Sequence, residues 1–156
     1  MAPPLLTLDD IFLTFGSTPL LEGASLAIHA QDRLCLVGRN GSGKSTLLKI
    51  AAGLVEPDKG ERFLKPGITV RYLPQEPDLS AFETIEDYVR DGLVGADQDY
   101  RIPYLLDALA LNGAEDTGHL SGGEARRAAL VRTLATEPDI LTLDEPTHHL
   151  DLPAIE

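Results

Sequence analysis

The stretch Leu34-Cys35-Leu36-Val37-Gly38-Arg39-Asn40-Gly41-Ser42-Gly43-Lys44-Ser45-Thr46-Leu47-Leu48 decides the fold. Gly38 to Ser45 fits G-x-x-x-x-G-K-[ST], the pattern of a phosphate-binding loop. The apolar run Leu34–Val37 predicts a strand before the loop, and Leu47-Leu48-Lys49-Ile50-Ala51-Ala52 predicts a helix after it. The glycines let backbone N–H groups turn inward and approach a phosphate without interference from Cβ. A helix starting near Lys44 aims its positive dipole end at the same place. Lys44 then neutralises β- and γ-phosphate oxygens, and the Ser45 hydroxyl is placed to ligate Mg2+.

Working outward, 156 residues suit one domain with a real core. The composition, 43% hydrophobic and 24% charged, is that of a globular protein. A net charge of −12 argues against bulk electrostatic gripping of nucleic acid by this chain alone. The single cysteine, Cys35, forms no internal disulfide and reads as a core thiol, which suits a reducing, cytoplasmic setting. The start Met1-Ala2-Pro3-Pro4-Leu5-Leu6 lacks the basic region of a signal peptide, and no apolar run reaches the ~18 residues of a membrane span.

Before the loop, residues 5–15 and 20–29 predict two strands of an antiparallel layer around the turn signal Gly16-Ser17-Thr18-Pro19. Phe12 and Phe15 either pack in the core or, for one of them, stack on a nucleotide base, worth ~1–3 kcal/mol. After it, a helix is expected over 44–54, ended by Gly53 and Pro57-Asp58-Lys59-Gly60. Residues 61–65 and 68–73 predict short strands, and Pro74 stops the second just before Gln75. An acidic segment over 76–99 holds a helix at 83–92. A further helix begins near Arg101, carries the stripe Leu105, Leu106, Leu109 and Ala110, and ends at Gly113.

Two later stretches carry chemistry. Leu120-Ser121-Gly122-Gly123-Glu124 precedes a helix expected from Ala125 to Ala135. Ser121 and Glu124 have capping-box spacing. Two glycines in a first helical turn cost roughly 1 kcal/mol each relative to Ala, which capping does not explain. Close approach of an anion to bare backbone N–H groups does. After Pro138, Asp139-Ile140-Leu141-Thr142-Leu143 predicts a buried strand ending in Asp144-Glu145-Pro146. A carboxylate there suits Mg2+, and Glu145 is placed to polarise an attacking water.

Together these motifs resemble the nucleotide-binding domain of ABC ATPases. The phosphate loop, Gly38, Arg39, Asn40, Gly41, Ser42, Gly43, Lys44, Ser45 and Thr46, looks like Walker A. Ile140 to Asp144 looks like Walker B, Leu120 to Glu124 like the family signature, and Leu150-Asp151 falls at the D-loop. By resemblance Glu145 is the catalytic glutamate, Gln75 the Q-loop glutamine, and Phe15 the adenine-stacking ring. Ser45, Gln75 and Asp144 are the implied Mg2+ ligands. The stretch Glu145-Pro146-Thr147-His148-His149-Leu150-Asp151-Leu152 is similar to the EPTNHLD stretch of the ABC-F subfamily, as are Gly38–Gly41 and Glu124 to Leu130.

His148 departs from that subfamily's usual Asn, the interval from Gln75 to Leu120 is short for its arm, and the chain stops at Glu156 before the place of the switch histidine. The adjacent pair His148-His149 makes no metal site by spacing.

The implied fold is α/β: a parallel phosphate-loop core and an antiparallel β layer from 1–75 and 137–156, with a helical subdomain over 78–136 that carries the signature. The implied function is Mg-ATP binding, with hydrolysis to ADP and phosphate where two domains meet head to tail. One domain's Lys44, Ser45, Gln75, Asp144 and Glu145 serve one nucleotide, and Ser121, Gly122 and Gly123 serve the partner's. That partner is a second ABC-type domain, in the same chain or a homodimer. The expected setting is a factor without its own membrane span, acting on the ribosome or nucleic acid. The alternative is the ATP-binding subunit of a membrane permease. A nucleotide-holding module without turnover is a third reading. A small-molecule kinase leaves Leu120–Glu124 unexplained. Alone, the chain is expected to be nearly inactive.

Overall fold

In the computed structural model, residues 2–34, 36, 43–93 and 99–144 are described. They form two compact units, 1–72 and 73–156.

The first unit is built on an antiparallel sheet of order β2-β1-β3, from β1 (Leu6–Phe15), β2 (Thr18–Ile28) and β3 (Lys59–Leu64). Strand β1 buries Leu6 and Leu8, then Ile11 and Leu13, a switch from even to odd positions. A bulge at Asp9-Asp10 makes this possible: pairing with β2 steps from Leu8↔Leu26 to Ile11↔Ala24. Asp10 takes φ 49, and its N–H donates to Ser25 Oγ at 3.1 Å. The extra residue returns the apolar side chains to one face. Gly60 of β3 accommodates the bulge: at φ 104, a Cβ there would stand 2.4 Å from the Asp10 carbonyl oxygen.

The hairpin turn is Gly16-Ser17, with Gly16 at φ 61, so Thr18 and Pro19 belong to the strand rather than to the expected four-residue turn. Helix α1 (Lys44–Ala51) follows, burying Ile50 and Ala51. It ends as a Schellman motif: Gly53 has φ 82, its N–H donates to the Ile50 carbonyl, and the Leu54 N–H to that of Lys49. Arg62 of β3 donates from Nε and Nη2 to the Ala51 carbonyl, satisfying the helix end from the sheet.

The second unit holds α2 (Ile85–Asp91), α3 (Arg101–Ala108) and α4 (Gly122–Leu134) around a core that includes Ile85, Val89, Ile102, Leu106, Ala128 and Val131. Strands β4 (Val70–Leu73) and β5 (Ile140–Leu143) form a two-stranded sheet. Thus β4 does not continue the sheet of β3, although only residues 65–69 separate them in sequence, and Ile68-Thr69 lie outside the strand. Helix α2 is capped by Thr84, whose Oγ1 accepts the Asp87 N–H. The Ile85 and Glu86 N–H groups donate to the Glu115 and Gly113 carbonyls.

Helix α3 ends earlier than its sequence suggests. Ala110 takes φ 56 and is exposed, so it leaves the apolar stripe, and Gly113 plays no part in the stop. The Leu111 N–H donates back to the Leu106 carbonyl, which lets Leu111 bury instead. Hydrophobic anchoring there outweighs the ~1–2 kcal/mol that a left-handed alanine costs. Among the described residues no helix is long and apolar enough to cross a membrane.

Candidate functional site

The phosphate loop reaches the described residues at its last glycine. Gly43 is the N-cap of α1 at φ 94, where a Cβ would stand 2.9 Å from Leu21 Cδ2 and 3.2 Å from the Leu20 carbonyl oxygen. Only glycine fits. Helix α1 starts with no side-chain cap and no acidic residue in its first turn, which instead opens on Lys44. A cation at the positive end of a helix dipole is unfavourable on its own, by ~0.3–1 kcal/mol. A bound polyanion reverses that sign, because the ammonium and the helix N–H groups then act on the same charge. Lys44, Ser45 and Thr46 are half-buried. Gly38, Arg39, Asn40, Gly41, Ser42 and the apolar residues Cys35 and Val37 lie outside the described residues. Leu34 and Leu36 carry no strand assignment.

The two aromatic candidates part company on β1. Phe15, the last residue of the strand, is 59% exposed. Phe12 is 39% exposed, and its ring lies over Gly23, where an added Cβ would stand 3.5 Å from Cζ. Neither ring is in the core.

The metal-end candidates of the second unit share one anchor. Asp144, directly after β5, is 4% exposed, and its N–H donates to the Leu73 carbonyl at 3.3 Å. Gln75, two residues beyond β4, is half-buried. Arg126 of α4 joins them. This arginine is 1% exposed, donates from Nη1 to the Pro74 carbonyl at 2.8 Å and to the Gln75 carbonyl, and from Nη2 to the Asp144 carbonyl at 2.9 Å. A buried guanidinium is tolerated only with such partners, and the planar fork suits carbonyls from two chain segments. Glu145, His148, His149, Leu150 and Asp151 lie outside the described residues.

The signature stretch begins α4 itself, three residues earlier than expected, with Ser121 as N-cap. The capping box is complete: Glu124 N–H donates to Ser121 Oγ, and Ser121 N–H donates to Glu124 Oε1, both at 3.1 Å. The bond from the Ser121 N–H, and after it the Ser121 hydroxyl, hold the Glu124 carboxyl below the usual carboxylate range, and Arg127 adds to the effect. Ser121 and Gly122 are exposed, Gly123 and Leu120 half-buried.

Within 73–156, then, Gln75, Asp144 and the helix carrying Ser121 to Glu124 are brought together through Arg126. Lys44, Ser45 and Phe15 belong to 1–72. Within 73–156, Gln75 offers an amide oxygen and Asp144 a buried carboxylate, hard oxygen donors of the kind Mg2+ takes. The described residues hold no His, Cys or carboxylate cluster of the kind transition metals need. Sequence reading missed Arg126. The available signal was its spacing: it stands three, four and seven residues before Ala129, Leu130 and Thr133, on a face that α4 buries.

Comparison with known proteins agrees with these features. The family model described as ABC transporter matches residues 21–148. The ATP-binding protein Uup of Caulobacter vibrioides is 51% identical over 98% of this chain and 25% of its own length. The energy-dependent translational throttle protein EttA of Mycobacterium tuberculosis is 31% identical over 100% of this chain and 35% of its own. The zinc import ATP-binding protein ZnuC of Yersinia pestis is 38% identical over 97% of this chain and 61% of its own. A solved ATP-binding subunit of an ABC transporter superposes with TM-score 0.85 and 28% identity, over 97% of this chain and 70% of that one. The chain thus spans between a quarter and about six-tenths of these curated relatives. With an α/β fold, a phosphate loop entering α1 and a signature stretch capping α4, it belongs to the ABC transporter family, as an ABC-F-like nucleotide-binding domain.

Proposed function

We propose that this chain binds Mg-ATP and forms half of a head-to-tail pair of ABC-type domains that hydrolyses it to ADP and phosphate. The observation that carries the reading is the start of α1: a left-handed glycine where a Cβ would clash, no side-chain cap on the helix N–H groups, no acidic residue in the first turn, and Lys44 at its first position, an arrangement that favours a bound anion. Gly38 to Thr46 cradle the phosphates, Phe15 stacks on the base, and Ser45, Gln75 and Asp144 hold the metal. Bound Mg2+ neutralises charge on the phosphates and fixes their geometry. Glu145 orients the attacking water. Leu120 to Glu124 face the nucleotide of the partner domain. In this arrangement 1–75 and 137–156 form the core with its β layer, and 78–136 the helical subdomain.

Each chain supplies two unlike half-sites, so one chain alone is expected to release phosphate near background. The ABC-F-like stretch from Glu145 to Leu152 and the relatives Uup and EttA support a cytoplasmic factor acting on the ribosome or nucleic acid. The likeness to ZnuC supports a second reading, a subunit docked on a membrane permease. Calorimetric titration of Mg-ATP into the chain and into Lys44→Ala tests the site. Binding by the chain with loss in the variant is expected. Equal affinities would remove the nucleotide assignment.

A further inference from the structure

We propose that Arg126 is a positioning residue that sets the affinity of the nucleotide-loaded site for Mg2+ and ties that site mechanically to the signature helix; this rests on the Mg-ATP reading above. Gln75 and Asp144 follow the ends of two strands, β4 and β5, whose pairing brings those ends together. A third element holds the backbone just beyond them. One guanidinium, fully buried and rooted in the second turn of α4, grips the backbone carbonyls of Pro74, Gln75 and Asp144 at once. Because it holds carbonyls of the two ligand-bearing residues, it constrains where their side chains originate without touching the ion. Groups that orient metal ligands in this way typically change metal affinity by ~10–100-fold when removed.

The same side chain makes the coupling two-way. Arg126 stands five residues after Ser121, on the helix whose first turn carries Gly122 and Gly123. A shift of Gln75 or Asp144 on metal binding therefore pulls α4 through a rigid fork. A lysine cannot substitute: its point charge reaches one carbonyl geometry at a time, not two segments in one plane.

The experiment measures affinity for a fluorescent ATP analogue in excess Mg2+ and again in chelator, for the chain, Arg126→Lys, Asp144→Asn and Lys44→Ala. For Arg126→Lys the metal-free affinity should stay within about twofold while the gain from Mg2+ falls about tenfold or more. Asp144→Asn should share that pattern, and Lys44→Ala should lose affinity in both conditions. A merely structural arginine would lower both affinities together or neither. A full Mg2+ gain in folded Arg126→Lys overturns the proposal. No binding by the unaltered chain would instead overturn the Mg-ATP reading.

Should Arg126→Lys not fold, hydrogen exchange on the unaltered chain decides. Adding Mg2+ to the nucleotide-loaded protein should slow exchange around Gln75 and in the first two turns of α4 together. Slowing at Gln75 with α4 unchanged overturns the coupling.

Discussion

Replacing Phe15 by alanine should weaken nucleotide binding while costing the fold only about 1 kcal/mol. The ring is 59% exposed at the hairpin end of β1, where Phe15 pairs with Thr18. Burying a whole Phe side chain is worth up to ~3 kcal/mol, so about two-fifths coverage leaves ~1 kcal/mol of folding stability at stake. A base–aromatic stack is worth ~1–3 kcal/mol, or about 5- to 150-fold in Kd. Phe12 is the matched control three residues away on the same strand. With 39% exposure and its ring against Gly23, Phe12→Ala should remove roughly 1.5–2 kcal/mol of stability and leave Kd within about twofold. Stacking reads a π-face rather than hydrogen-bonding edges, so the Phe15→Ala loss should be similar for ATP and GTP. Calorimetric titration of both nucleotides, with urea midpoints for each variant, separates the effects. A larger affinity loss in Phe12→Ala at unchanged midpoint would refute the choice of ring.

Gly60→Ala should destabilise the first unit by about 2–4 kcal/mol, because the new Cβ meets the Asp10 and Asp9 backbone at φ 104 and neither can yield; urea unfolding checks it, and a loss under about 0.5 kcal/mol would contradict the bulge packing. Glu124→Gln should alter the pH dependence of stability. The native carboxyl titrates below its unfolded range, so its contribution is present above the unfolded pKa and is lost as pH falls through the folded one. The Tm gap between wild type and variant should therefore close on acidification; a gap that widens would contradict the capping box. In a paired assembly Glu145→Gln should retain ATP but slow turnover ~10²–10⁴-fold, read as phosphate release, and near-normal turnover would move the water-orienting role elsewhere.

Much of the fold was legible because its punctuation is chemical. Ser121 and Glu124 announce their box by spacing alone, and Gly53 stops α1 where a left-handed residue is needed. What escaped depends on contacts distant in sequence. The bulge at Asp9-Asp10 exists because Gly60, fifty residues later, leaves room for it. Helix α3 stops at Ala110 rather than Gly113 because Leu111 gains burial against the core. Strand β4 reads locally like a hairpin partner of β3, yet it pairs with β5, whose Asp144 its last carbonyl holds. The site divides the same way. Lys44, Ser45 and Ser121 are visible as pattern, whereas Arg126 acquires its role only when Pro74, Gln75 and Asp144 converge on it.

The two helices that open on motif residues solve the same problem differently. Every helix start leaves about four N–H groups outside the ladder. At α1 no side chain caps them, and the cation Lys44 stands among them. At α4 the first ladder bond is Ala125 N–H to the Ser121 carbonyl, so the groups before it are those of Ser121, Gly122, Gly123 and Glu124. The capping box takes the first and the last. It does not serve the middle two, which belong to the glycines. Capping and anion binding are therefore not rival explanations of Leu120 to Glu124. The box holds the helix start rigid with its outer N–H groups, while the residues lacking a Cβ keep the inner pair approachable. That division explains why the stretch tolerates two poor helix formers side by side: the roughly 1 kcal/mol each costs relative to alanine is offset in part by the box.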